Sequence, residues 1–266
     1  MLLDSKKDGE MKIGIIGKGV VGDAVYCGLA QINNQVNHYD IKDKSTTIND
    51  MSDRDIVFVC VPTEANDNGR CDISIVENII SNLARIEFSG IIAIKSTIVP
   101  GTTDALIKKY SSMSICYVPE FLREKSAHSD FFDGNDVLII GSHDHNAAEK
   151  IAKAHKFIAK SVSMVKPIEA EISKYFNNVH NAMEITFANG VYEVCQQFGA
   201  DYQKVLNAVG KRQNINTNYL KCSDFYRGYT GKCLPKDTQA WALLTQDLGL
   251  DISLFKSIVE DNRKYL

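Results

Sequence analysis

The chain has 266 residues, 44% of them hydrophobic and 24% charged, which suits one or two soluble globular domains with buried cores. A formal net charge of −3 offers no footprint for nucleic acid or an anionic membrane surface, so neither is expected as a partner. No apolar run reaches membrane-spanning length, and the start of the chain does not read as a signal peptide. The seven cysteines, at 27, 60, 71, 116, 195, 222 and 233, are odd in number and form no CxxC pair. That argues against a zinc site or a disulfide framework and for a reducing cytoplasm, and no metal ligand is assigned.

Residues 1–10 are mostly polar and aperiodic and are expected to be a disordered extension. A short apolar strand follows at 12–16. It runs into Gly17-Lys18-Gly19-Val20-Val21-Gly22, after which Ala24, Val25, Leu29 and Ile32 mark one face of a helix. GxGxxG alone is a weak signal, but a strand before it and a helix after it supply the context of a dinucleotide loop. A second strand, 36–39, ends in Asp40, 18 positions past Gly22 and close to the ~20 expected of the acid that hydrogen-bonds the adenosine ribose of NAD and repels the 2′-phosphate of NADP. Lys42, just beyond, works against that preference.

The apolar run 55–61 reads as a strand buried on both faces and ends at Pro62-Thr63. A helix at 73–86 follows. Further strands at 90–94, 114–118 and 136–140 end in Lys95-Ser96-Thr97, Pro119-Glu120 and Gly141. Strands alternating with helices predict a Rossmann-type doubly wound parallel sheet, in which ligands bind beyond the carboxyl ends of the strands. Thr63, Thr97, Glu120 and Glu124 all lie just past such ends. Pro167 suits a first helical turn, and an amphipathic pattern from Ile168 to Phe198, stopped by Gly199, predicts a helix of about 30 residues. Lys174 and Asn178 share one face of it. From Asp201 the pattern is helical again, broken by a polar loop at 211–218. The expected organisation is a dinucleotide-binding domain over 11–165 and an all-helical domain with a long central helix over 166–266.

The second domain contains Gly228-Tyr229-Thr230-Gly231-Lys232-Cys233-Leu234-Pro235-Lys236-Asp237. Its glycines allow close approach of a ligand, flanking lysines favour a cysteine thiolate, and Pro235 suits a helix start whose N-terminus adds to that effect. Read locally, a buried structural cysteine is an equal alternative.

Five blocks, in order, resemble the UDP-glucose/GDP-mannose dehydrogenases. They are Gly17-x-Gly19-x-x-Gly22, Val61-Pro62-Thr63, Lys95-Ser96-Thr97 with Pro100-Gly101-Thr102, Pro119-Glu120-Phe121-Leu122-Arg123-Glu124, and Gly231-x-Cys233-Leu234-Pro235-Lys236-Asp237. Glu169-Ala170-Glu171 leads to Lys174 and Asn178 at that family's spacing. The resemblance implies NAD as cofactor, a nucleotide-sugar substrate and a homodimer built on the long helix. It implies a two-step oxidation of a sugar primary alcohol to a carboxylate through a thiohemiacetal and a thioester on Cys233. Lys174 and Asn178 would stabilise charge on oxygen; Asp237, Thr97 and Glu120 are candidates for a base or for holding water; Glu124 would handle the hydrolytic water. Cofactor contacts would come from Gly17, Gly19, Val20, Val21, Gly22, Asp40, Lys42, Pro62, Thr63, Thr97, Glu124 and Lys236. Substrate contacts would come from Phe121, Leu122, Arg123, Glu124, Lys174, Asn178, Gly231 and Cys233. The chain departs from the family at Glu64, Val99, Lys125 and Thr230, and it stops about where the linker to the family's third, UDP-binding domain is expected. Two alternatives stay open: a β-hydroxyacid-type dehydrogenase, which has two domains of about this total length, and a non-catalytic NAD-binding remnant.

Overall fold

The computed structural model describes residues 11–32, 35–134, 136–156 and 158–266. The expected extension at 1–10 lies outside the described residues. The chain divides into two compact units, the first comprising 11–63 and 72–174 of the described residues and the second Glu64–Cys71 with Tyr175–Leu266. These units divide within the long helix, between 174 and 175, where the expectation set a boundary at 165, and a short excursion of the N-terminal half belongs to the second unit. Arg70 makes a bidentate pair with Asp247 there, at 2.7 and 3.0 Å from one guanidinium nitrogen and 3.1 Å from another.

The first unit is built on a seven-stranded sheet: β1 (Lys12–Ile16), β2 (Gln35–Tyr39), β3 (Ile56–Val59), β4 (Ile91–Ile94), β5 (Ser114–Tyr117), β6 (Val137–Gly141) and β7 (Ser161–Val165), in the order β2-β1-β3-β4-β5-β6-β7. Its helices are α1 (Val20–Ile32), α2 (Ser74–Arg85), α3 (Thr102–Lys109), α4 (Ala127–Phe132) and α5 (His145–His155). The period of two sends Ile56 and Phe58 of β3 into one core with α1, α4 and α5, and Val57 and Val59 into the other with α2 and α3. All four are fully buried, at about 1.5–3 kcal/mol each. This is why the run reads as continuously apolar.

Two features differ from the expectation of a parallel sheet. β6 is antiparallel to β5, paired at Tyr117↔Gly141, and β7 adds a parallel edge strand beside β6. A parallel crossover needs a helix long enough to return the chain along the sheet. The β5–β6 connection offers only α4, six residues or about 9 Å long. α4 instead closes on α1, where a Cβ added at Gly28 would lie 2.3 Å from the Phe131 ring. β7 escapes notice because four of its five residues are exposed and it shows no buried apolar run.

The long helix, α6 (Pro167–Gln197), has 31 residues and begins at the expected proline. Gly199 ends it at φ +64, with the amide of Ala200 donating to the Cys195 carbonyl at 2.8 Å, a Schellman closure. The second unit also contains α7 (Tyr202–Val209), α8 (Leu234–Asp247) and α9 (Ser253–Asn262). Its core has two parts, one around Tyr192, Tyr202 and Leu206 and one around Ile185, Tyr229 and Ile258.

Candidate functional site

In the first unit the three glycines of the loop do different work. Gly17 has φ +86, and a Cβ there would meet the Cys60 carbonyl at 2.7 Å, so it makes the tight turn off β1. A Cβ at Gly22 would sit 1.8 Å from the Gly17 carbonyl oxygen, so only glycine lets α1 pack this closely on its own loop. Around Gly19 a Cβ would meet nothing within 4 Å: this backbone is open to a ligand at the start of α1. That is the division of labour a pyrophosphate-binding turn requires. Val20 is exposed and Val21 half-buried on the first turn of α1. The Asp40 carboxylate accepts the Lys18 amide at 2.6 Å and the Lys42 amide at 2.9 Å. These bonds, the one from Lys18 first, hold its pKa below the usual carboxylate value. Lys42 acts on Asp40 through its backbone amide and, from an exposed side chain, through its charge.

Glu124 lines one open cleft together with Lys18, Gly19, Val20, Asp23 and His128, so the sheet end brings Glu124 to the glycine loop. Pro62 is exposed, Thr63 buried and Thr97 half-buried at the ends of β3 and β4. The Ser96 hydroxyl donates to the Val61 carbonyl at 2.7 Å and ties those two ends together. Glu120 is buried and paired with the buried Lys95 at 2.8 Å. The Lys174 ammonium donates to the Glu120 carbonyl at 2.5 Å and lies 5.4 Å from the Phe121 ring centroid. Leu122 is half-buried against the sheet core. The Arg123 guanidinium is held by Asp130 at 2.6 and 2.9 Å, and this pairing brings the Asp130 carboxyl down to about 2.

In the second unit Cys233 is exposed at the N-cap of α8, with Pro235 in the first turn. Gly231 (φ +86) and Gly228 (φ +59) shape the loop before it. Asn262 fastens that loop to α9: it accepts the Tyr229 amide at 2.7 Å and donates to the Tyr229 carbonyl at 3.0 Å. Asp237, one turn into α8 and 1% exposed, accepts from the Asn178 amide at 2.6 Å and from the Lys236 ammonium at 2.5 Å. Lys236 therefore neutralises Asp237 as well as standing near the cysteine in sequence.

Three side chains that organise these groups escape sequence reasoning as site residues. Lys95 is the buried counter-ion of Glu120; its place in the Lys-Ser-Thr block was the available signal. Glu171, fully buried, accepts the amides of Gly101 and Thr103 at 2.5 and 2.7 Å and the Thr103 hydroxyl at 2.6 Å, which caps α3. Burial nonetheless pushes its carboxyl up. Arg227 pairs with Glu193 and lies 4.7 Å from the Tyr192 ring and 4.5 Å from the Tyr265 ring.

Comparison with known proteins gives matches over most of the chain. Residues 43–159 match the NAD binding domain of the UDP-glucose/GDP-mannose dehydrogenase family and residues 168–264 match its central domain. UDP-glucose 6-dehydrogenase YwqF of Bacillus subtilis is 29% identical over 220 residues, covering 80% of this chain. The chain spans about half of that relative's length, 49%. The solved UDP-glucose dehydrogenase of Pyrobaculum islandicum superposes with a TM-score of 0.89 at 27% identity, covering 98% of this chain and 70% of that one. The 3-hydroxyisobutyrate dehydrogenase of Mycobacterium tuberculosis shares the fold alone, with a TM-score of 0.78 at 14% identity over 96% of this chain and 94% of that one. Two matched domains of one family cover most of the sequence, so the chain belongs to the UDP-glucose/GDP-mannose dehydrogenase family.

Proposed function

We propose that this protein is an NAD-dependent nucleotide-sugar 6-dehydrogenase, converting a sugar primary alcohol to a carboxylate in the manner of UDP-glucose to UDP-glucuronate. The observation that carries the reading is Cys233. It is exposed at the N-terminus of α8, with the buried Asn178–Asp237–Lys236 chain one turn behind it. The open Gly19 backbone and the ionised Asp40 fit the pyrophosphate and the adenosine ribose of NAD. NAD, when bound, accepts a hydride in each of the two oxidations.

The remaining steps use the chain's own groups. A base, for which Glu120, Thr97 with a water, or Asp237 are the candidates, takes the alcohol proton as the aldehyde forms. The Cys233 sulfur then adds to the aldehyde carbon, and Lys174 and Asn178 stabilise the charge on its oxygen. Loss of the second hydride leaves a thioester on Cys233. Water, positioned by Glu124, adds to the thioester carbon, and the C–S bond breaks to release the carboxylate and restore the cysteine. Phe121, Leu122, Arg123 and Gly231 would line the sugar.

NADH formation with a panel of UDP-sugars tests this directly. The parent chain should form two NADH per uronate, and Cys233→Ser should not complete repeated four-electron turnover. Uronate production by Cys233→Ser at the parental rate would overturn the mechanism. One second reading is a protein that binds NAD without turning over a sugar. NAD binding with no NADH from any sugar would select it.

The homodimer is part of the same proposal. Phe176, Phe187 and Val194 of α6 and Phe198 just past its end, spaced 11, 7 and 4 apart, leave an exposed apolar stripe. Phe187→Glu should convert the dimer to a monomer in sedimentation; a parent chain already monomeric at micromolar concentration would refute the dimer. Seven free cysteines suit a reducing compartment, and we place the protein in the cytoplasm.

A further inference from the structure

Asp23 and Cys27 lie four residues apart on α1, and His128 stands in the first turn of α4. One donor atom from each lies within 4.8 Å of the other two. The His128 Nε2 is 3.2 Å from the Asp23 carboxylate. Zinc bond lengths of about 2.0–2.3 Å set the edges of a tetrahedral site at roughly 3.3 Å between nitrogen and oxygen ligands and roughly 3.6 Å to sulfur. The Asp23–His128 edge is therefore already at coordination length, and the Cys27 sulfur, within 4.8 Å of both, lies at most about 1.2 Å beyond the sulfur edge. The backbone is held for this. The absent Cβ of Gly28 makes room for the Phe131 ring and packs α1 on α4.

We propose that Asp23, Cys27 and His128 form a binding site for a transition metal ion of the zinc class. Thiolate, imidazole and carboxylate together suit zinc or cobalt and not magnesium or calcium, which take all-oxygen sets. Three protein ligands leave the fourth position to water or an incoming group. Asp23 and His128 also line the cleft that contains Gly19, Val20 and Glu124, so the ion sits in the wall of the dinucleotide cleft. The metal takes the Asp23 carboxylate from its present cation, the Lys18 ammonium at 3.7 Å. Because Lys18 belongs to the glycine loop, metal and dinucleotide affinities are coupled, each changing the other by the same factor. The proposal stands on the metal cluster alone and survives failure of the dehydrogenase reading.

Anaerobic titration of the whole chain with cobalt(II) tests it. The expected result is visible ligand-field absorption of a tetrahedral ion and a near-ultraviolet thiolate-to-cobalt band, saturating at one equivalent and displaced by zinc. The thiolate band should vanish in Cys27→Ser, and affinity should fall by about tenfold or more in His128→Ala. Both signals should persist in Cys233→Ser, the control for the exposed thiol. Where Cys27→Ser does not fold, alkylation of the parent chain reads the same point: zinc should protect Cys27 and leave Cys233 reactive. A thiolate band that survives Cys27→Ser, one that disappears in Cys233→Ser, or the absence of any tetrahedral cobalt spectrum or zinc protection overturns the proposal.

Discussion

Lys95→Met isolates the electrostatics of the buried end of the sheet. The Lys95 side chain is 1% exposed and that of Glu120 9%, at 2.8 Å. The rings of Phe58 and Phe131 lie 5.7 and 5.9 Å from the ammonium, so little solvent reaches it. Methionine matches the aliphatic stem and removes only the charge, leaving the Glu120 carboxylate with the Phe121 amide at 3.2 Å as its remaining neighbour among the bonds described. Removing one partner of such a pair costs about 3–5 kcal/mol, because an uncompensated charge stays buried. At about 2–4 °C per kcal/mol, the melting temperature should fall by roughly 6–20 °C. Replacing both members removes that penalty, so Lys95→Met with Glu120→Gln should recover most of the loss. Thermal and urea unfolding of the parent, both single variants and the double variant complete the cycle. A single-variant cost under about 1 kcal/mol, or a double variant as unstable as the sum of its parts, would refute the argument that this pair is desolvated and coupled.

The glycine loop makes two opposite predictions. Gly22→Ala should both lower stability and abolish NAD binding, since its Cβ lands 1.8 Å from a backbone oxygen, whereas Gly19→Ala should unfold like the parent and lose NAD affinity alone, as calorimetry would show. His155 is buried against Phe58 and Phe131 and donates from Nδ1 to the Ile151 carbonyl at 2.8 Å; burial first, then the Lys95 charge, lowers its pKa from 6.5 to about 3. The imidazole is neutral in both states above pH 6.5, so its contribution is intact there and is lost as the unfolded chain takes up a proton between pH 6.5 and 3. Urea unfolding should show a loss of about 2 kcal/mol by pH 5 that His155→Phe abolishes. Asn262→Leu deprives the Tyr229 amide and carbonyl of their partners and should cost about 2–4 kcal/mol in the second unit by urea unfolding; an unchanged midpoint would show that the cysteine loop needs no anchor.

What was legible in the sequence was local. The period of two in 55–61, the glycines after β1 and the proline-to-glycine span of α6 each report on neighbours within one element. The unread features all join distant positions. Nothing near Glu120 announces that Lys95 will be its counter-ion, nor near Glu171 that it will cap α3. Asn262 sits in an ordinary helical pattern, and only the folded second unit shows that it fastens the loop before Cys233. The direction of β6 is also a tertiary fact: its composition is that of any buried strand, and the shortness of α4 decides its sense. The metal cluster escaped for the same reason. The scattered cysteines without CxxC argued against any zinc site, whereas the proposed Asp23–Cys27–His128 site is assembled from two helices.

Asp40 has a task in the fold beside the ribose contact that its spacing predicts. Its spacing from the glycines marks it as the residue that selects the ribose. In the structure the same carboxylate staples the glycine loop through the Lys18 amide before any ligand arrives. One side chain therefore links the shape of the pyrophosphate turn to the charge at the ribose end. Those amides also keep it ionised well below neutral pH, so protonation gives a 2′-phosphate no relief from its charge. If Asp40 meets the ribose, preference for NAD over NADP would follow from folding and not from adjustment on binding. An Asp40→Asn variant separates the two roles, because its amide oxygen still accepts the Lys18 amide. It should keep the loop and its NAD affinity within a few-fold, and gain NADP affinity by about tenfold or more as a repulsion of about 1.4 kcal/mol or greater disappears. Titration of both cofactors against parent and variant decides it; unchanged NADP affinity would mean that the carboxylate serves the loop alone.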